Sequence, residues 1–186
     1  MTVELAPADL AARLRGRFPE ISLEIGPNWL MLEPSLLLDV CRFLRDDPDL
    51  DFVYLTCLTC VDRLDCFEVV YILHSLRRNQ IATIKAKVDR DDPVLPSVYQ
   101  IWYGAHLQEA EAYDLMGIRF EGHPNLRRIF LWEGFAGWPL RKDFLQVGRG
   151  AFHPGLPYFP KEAGEHPVLS GPNWSAAPKL PDGGGE

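Results

Sequence analysis

Between Phe52 and Val88 the chain carries three apolar runs separated by two short polar turns, and this stretch constrains the fold more than any other. Phe52–Val61 is almost continuously apolar, the pattern of a central strand covered on both faces. Arg63-Leu64-Asp65 then turns the chain. In the next run Phe67, Val69, Tyr71 and Leu73 alternate along one face, with Glu68 opposite. After Arg77-Arg78-Asn79, a third run places Ile84, Ala86 and Val88 on one face and Thr83, Lys85 and Lys87 on the other. The lysine-bearing face reads as a solvent-facing edge, with an acidic partner as the alternative. A sheet with an apolar face needs a cover.

The helices that supply it are short. Pro7 suits the first turn of a helix with Leu10, Leu14 and Phe18 on one side, and Pro19 closes it. Pro34 opens a second helix, in which Leu37, Val40, Cys41 and Leu44 form one buried stripe; Asp46-Asp47-Pro48 stops it. Between them Ile21–Ile25 reads as a short strand, Gly26-Pro27-Asn28 as a turn, and Trp29–Leu32 as its continuation or partner. Asp89–Pro96 reads as a polar connection and Val98–Tyr103 as a single helical turn. A third helix follows from about His106 to Met116, ended by Gly117. Neither of the first two helices can enclose a core alone, so a two-layer body is expected. At 186 residues one domain is the expectation. We divide it into an α+β body at 1–118, a turn-rich interface segment at 119–147 and an extended Gly/Pro-rich tail at 148–186. The tail's last six residues, Pro181–Glu186, read as disordered.

Composition removes several function classes. A formal net charge of -7 argues against electrostatic binding of nucleic acid. No run approaches the length and apolarity of a membrane span, and Met1-Thr2-Val3-Glu4 lacks the basic start and apolar run of a signal peptide. Nucleophile motifs, a P-loop and a dinucleotide-binding glycine fingerprint are missing. Cys57 and Cys60 fall three apart within a strand and point to opposite faces, so the four cysteines read as buried structural thiols. His106 and His123, with Glu109 and Glu111 between them, lack metal-ligand spacing. Glu111 and Asp114 share a helix side but nothing marks a cleft around them for acid–base hydrolysis.

The remaining stretch, Gly104–Asp143, interleaves charge with Tyr113, Phe120, Phe130, Trp132, Phe135 and Trp138, and reads as a surface built to meet another protein. Within it stand Glu109, Glu111, Tyr113, Asp114 and Gly117-Ile118, then Gly122-His123-Pro124, Leu126-Arg127-Arg128 and Gly137-Trp138-Pro139-Leu140-Arg141-Lys142-Asp143. These blocks, in this order, resemble the C subunit of the proton-pumping NADH:quinone oxidoreductase, respiratory complex I, and of its photosynthetic quinone-oxidoreductase relatives. One departure is Ala110, where the family usually has arginine.

The resemblance implies an α+β fold with a mixed sheet covered by helices and a C-terminal extension running over a neighbouring subunit. It implies a non-catalytic, cofactor-free subunit of the hydrophilic arm, with FMN and iron–sulfur clusters in partner subunits. It implies packing on the D subunit, which carries the quinone site, near the iron–sulfur B subunit, on the cytoplasmic side of an energy-transducing membrane. The expected interface residues are Glu109, Glu111, Tyr113, Asp114, His123, Arg127, Arg128, Trp138, Arg141, Lys142 and Asp143. Among them Arg127, Arg128, Arg141 and Lys142 are expected to pair with acids, in this chain at Glu111, Asp114 or Asp143, or in the quinone-site subunit. Apolar side chains of the tail from Phe152 to Trp174 are expected to lie on that same neighbour. The alternative function is a stand-alone protein-binding adaptor with no redox role.

Overall fold

A computed structural model describes residues 3–133, 135 and 137–144. In chain order these form β1 (Val3–Glu4), α1 (Pro7–Arg17), β2 (Leu23–Ile25), β3 (Leu30–Leu32), a 3₁₀ turn (Pro34–Leu36) and α2 (Leu37–Asp46). Then come β4 (Tyr54–Asp62), β5 (Cys66–Ser75), β6 (Gln80–Asp89), β7 (Val94–Pro96), α3 (Ala105–Met116) and β8 (Arg119–Glu121). The main sheet runs β2-β3-β6-β5-β4, with β1 also paired to β6. The hairpins β2–β3, β4–β5 and β5–β6 are antiparallel, whereas β1 and β3 lie parallel to β6, so the sheet is mixed. Together with the helices this is the expected α+β class.

Alternation decides which face is covered. Phe67, Val69, Tyr71 and Leu73 of β5 and Ala82, Ile84, Ala86 and Val88 of β6 are buried, and they join one core with Leu10 and Leu14 of α1, Val40 and Leu44 of α2, and Ala112 and Met116 of α3. The intervening Glu68, Val70, Ile72 and His74 remain partly exposed. Burying each large aliphatic side chain contributes about 1.5–3 kcal/mol, so this face carries most of the driving force.

Two expectations about the sheet are corrected. The run at 52–61 is not central: β4 is an edge strand, and the central places belong to β5 and β6. Leu55 and Leu58 both point into the core although three residues apart, because a register irregularity between Leu55 and Cys57 shifts the alternation. The other side of the strand, with Tyr54, Thr56 and Thr59, is exposed. The edge is blunted from within, since the Leu58 N–H donates to the Gln108 side chain of α3. The strand bearing Thr83, Lys85 and Lys87 is not an edge either, because β6 pairs on both sides. Lys85 is held 3.0 Å from Glu68 and lies 4.4 Å from the Trp29 ring centre, so it is paired inside the chain.

The segment between β6 and α3 holds more order than a polar connection. Within it β7 pairs in parallel with β8, Leu95 opposite Phe120, so α3 is the crossover between two parallel strands and both of its ends are anchored. After β8 the described chain continues in turns to Phe144. The tail expected at 148–186 lies outside the described residues, and so does the docking expected of Phe152–Trp174.

Candidate functional site

The carboxylates of α3 set the site. Ala105, Glu109, Ala112 and Met116 fall on one stripe of the helix and all are buried. Glu109 is 0% exposed; one oxygen accepts from Ser97 Oγ at 2.6 Å and the other from the Val98 N–H at 2.8 Å. It closes the turn that leads into the helix. Burial pushes its carboxyl up to about 7, against the pull of those two hydrogen bonds.

Asp114 is likewise 0% exposed, and it works in the opposite electrostatic sense. Its Oδ2 accepts the N–H groups of Ile129 at 2.9 Å, Phe130 at 2.7 Å and Leu131 at 3.0 Å, while Oδ1 meets Arg128 Nη1 at 3.1 Å. Burial alone would raise its pKa, but three backbone donors and a guanidinium outweigh it and hold the carboxyl below its ordinary range. In this chain both acids therefore turn inward. Glu109 and Asp114 thus shape the expected interface from beneath.

The end of α3 is closed by the motif at 137–143. Gly117 caps the helix in the left-handed region, φ +76°, and a Cβ there would stand 2.4 Å from Trp138 Cε2, so only glycine lets the indole lie over the helix end. The orphan carbonyls of the last turn are then satisfied from the same segment: Leu140 N–H donates to Leu115 O at 3.1 Å and Arg141 Nε to Met116 O at 2.7 Å. Arg141 stacks 4.1 Å from the Trp138 ring centre and 4.9 Å from that of Phe67. Next to it the Lys142 N–H donates to Asp62 Oδ2 at 2.8 Å, and Arg90 joins Asp62 to Asp143, the latter at 2.9 Å. A loop more than a hundred residues into the chain is thus tied to both β4 and α3.

What stays outside is the surface. Glu111, Arg127, Lys142 and Asp143 are exposed, and Tyr113, Trp138 and Arg141 are half-buried. Phe130 at 64%, Leu140 at 58% and Trp132 at 50% lead the exposed apolar groups of this lobe, and Ile129 lies beside them. Of the four expected cations only Arg128 forms an ion pair among the described residues, with Asp114; Asp143 pairs with Arg90 instead. His123 is committed at both nitrogens: Nε2 donates to His106 O at 2.9 Å and Nδ1 accepts the Asn125 N–H at 3.1 Å. Burial lowers its pKa.

The described residues contain no group of three or more His, Cys, Asp or Glu arranged to hold a metal ion. Cys57 and Cys60 pair with Ile72 and Val69 and so lie on opposite faces of β4. Cys41 and Cys66 are buried, but Cys57 and Cys60 are only half-buried, a correction that follows from their place on the edge strand. Burial, with Glu111 and Asp62 adding to it, pushes the Cys60 thiol up to about 12, which leaves it a poor nucleophile or ligand. Sequence reasoning missed Asp62, Arg90 and Gln108. Asp62 meets a donor 80 residues away, and no local pattern marks such a pair.

The sequence profile of the family described as respiratory-chain NADH dehydrogenase, 30 Kd subunit, matches residues 30–149. The C subunit of NADH-quinone oxidoreductase from Hyphomonas neptunium is 41% identical over 150 residues, 77% of this chain and 74% of the relative. A solved trypsin-resistant fragment of Nqo5 is 28% identical with a TM-score of 0.52, covering 66% of this chain and 100% of the fragment. A chain of a membrane-bound sulfane sulfur reductase, an archaeal respiratory membrane complex, shares the fold at TM-score 0.61 and 21% identity, over 74% of this chain and 84% of that one.

Proposed function

The chain belongs to the family of the 30 Kd subunit of respiratory-chain NADH dehydrogenase, complex I, and from that premise we propose that it is a non-catalytic structural subunit. Its place is the hydrophilic arm of a proton-translocating NADH:quinone oxidoreductase, packed on the quinone-site subunit and close to the iron–sulfur subunit next to it. FMN and the iron–sulfur clusters belong to partner subunits, and this chain supports electron transfer to quinone by holding its neighbours in register. No helix among the described residues is long and apolar enough to cross a membrane. In this reading membrane contact belongs to the complex, with this chain peripheral on the cytoplasmic side.

The observation that carries this reading is the aromatic lobe after β8. Exposed Phe130 and Trp132 sit on a backbone that Asp114 fixes through three consecutive N–H groups. Large side chains on a preorganised backbone lose little entropy on docking, and aromatics and arginine are the residues that anchor protein interfaces. The test is a Phe130→Asp, Trp132→Asp double variant expressed in place of the wild type. We expect an unchanged unfolding midpoint for the free chain and loss of incorporation into the oxidoreductase. Incorporation at the wild-type level would contradict the assignment of this lobe as the docking surface.

A further inference from the structure

Arg141 is held in place on one side and left open on the other. Its Nε donates to Met116 O at 2.7 Å, and its guanidinium stacks on Trp138 and Phe67 at 4.1 and 4.9 Å from the ring centres. Its two terminal nitrogens have no hydrogen-bond partner among the described residues, and no acid there lies within ion-pair distance. The nearby acids are already engaged. Asp62 takes Arg90, the Leu64 N–H and the Lys142 N–H, and Asp143 pairs with Arg90 at 2.9 Å. Burial lowers the pKa of Arg141, and Arg90 lowers it further, against the weaker pull of Asp143, Asp62 and Asp91, so the charge is under-compensated within the chain.

A guanidinium with Nε bonded and both terminal NH2 groups free presents a planar fork that fits the two oxygens of a carboxylate. Stacking on Trp138 fixes the plane of that fork before any partner arrives. Leu140, 58% exposed, stands beside it and would exclude water from a pair formed there. Building on the assembly reading above, we propose that Arg141 is a preorganised receptor for an Asp or Glu carboxylate on a neighbouring subunit, received bidentately at the rim of Trp138. The interaction is directional: a lysine keeps the charge and the cation–π contact but loses the fork.

The test combines one chemical probe with one substitution. Phenylglyoxal labelling of wild-type protein, read by mass spectrometry at Arg141, compares the free full-length chain with the assembled complex. We expect labelling in the free chain and at least about 10-fold protection after assembly, because a carboxylate bonded to both terminal nitrogens blocks the reagent. Arg141→Lys, competed against wild type for incorporation, should be disfavoured by about 10-fold or more beyond what the loss of the Nε–Met116 O bond costs the free chain, a cost that the free chain's own unfolding midpoint reads separately. Protection already present in the free chain would show that an acid of residues 145–186 fills the fork, and would overturn the proposal. Equal labelling in both states, equal competition, or an incorporation defect that only tracks a lowered midpoint would overturn it too. A wild-type chain that never enters the oxidoreductase would instead defeat the assembly reading itself.

Discussion

Buried Asp114 and half-buried Arg128 form an ion pair at 3.1 Å, and the oxygen of Asp114 not used by Arg128 gathers the N–H groups of Ile129, Phe130 and Leu131. One side chain of α3 therefore determines the course of the loop that carries the exposed aromatics. Arg128 extends the link by donating to Gly137 O at 3.2 Å, which connects this loop to the motif over the helix end.

Replacing Asp114 by Asn should destabilise the free chain by about 2–4 kcal/mol, because an amide nitrogen would face a donor and Arg128 would lose its counter-charge. The depressed carboxyl of Asp114 gives the sign of its pH dependence. Its stabilisation is complete above the unfolded-state pKa, about 4, and is lost as pH falls through the lower folded value. Urea unfolding at pH 7 checks the first statement; a midpoint equal to wild type would contradict it.

Gly117→Ala should cost more than the left-handed backbone alone. The added methyl group meets Trp138 at 2.4 Å, so the indole must leave the helix end and release the 138–141 turn. In a Trp138→Ala background the same substitution should cost only about 1 kcal/mol, the usual penalty for the backbone geometry. A double-mutant cycle measured by chemical unfolding decides this, and additive losses would show that the indole does not press on Gly117.

Glu109 predicts a slope with pH. Its folded-state carboxyl titrates near 7, above the unfolded value of about 4.3, so the folded chain holds the proton more tightly. Its contribution is fully present below the unfolded pKa and is lost as pH rises through about 7, on the order of 3 kcal/mol over that window. Glu109→Gln keeps an acceptor for the Val98 N–H and has no charge to bury. Its stability should be flat across this interval where the wild type declines, and identical pH profiles for the two proteins would refute the assignment.

The helices and the long strands were legible in the sequence because one face of each is buried against a single core, and burial imposes periods of 3.6 and 2. Pro7 and Gly117 mark helix ends for reasons of backbone geometry, whereas Pro34, expected to open the second helix, opens the 3₁₀ turn that leads into α2 at Leu37. Strand order was not legible: Phe52–Val61 reads as central on composition, but Tyr54 and Thr59 face outward and the irregularity at Leu55–Cys57 breaks the alternation. The strands β7 and β8 are three residues each, too short for a period to show. Within the site, the motif at 137–143 was visible as residues but not as a clasp. The inward turn of Glu109 did leave a signal, since it falls on the Ala105–Ala112–Met116 stripe. Asp114 left none, because its partners come from a loop that has no periodicity.

The proposed role makes this chain a structural member of a quinone-reducing assembly and not its catalyst. Isolation through an affinity tag on this chain tests that role most directly, once from native membranes under mild detergent and once as the chain expressed alone under anaerobic conditions. The other hydrophilic-arm subunits and NADH:quinone activity should come with the native material. The chain alone should show neither flavin nor iron–sulfur absorbance and contain no stoichiometric iron. Recovery from membranes without quinone-reductase subunits, or stoichiometric iron or flavin in the isolated chain, would contradict the role.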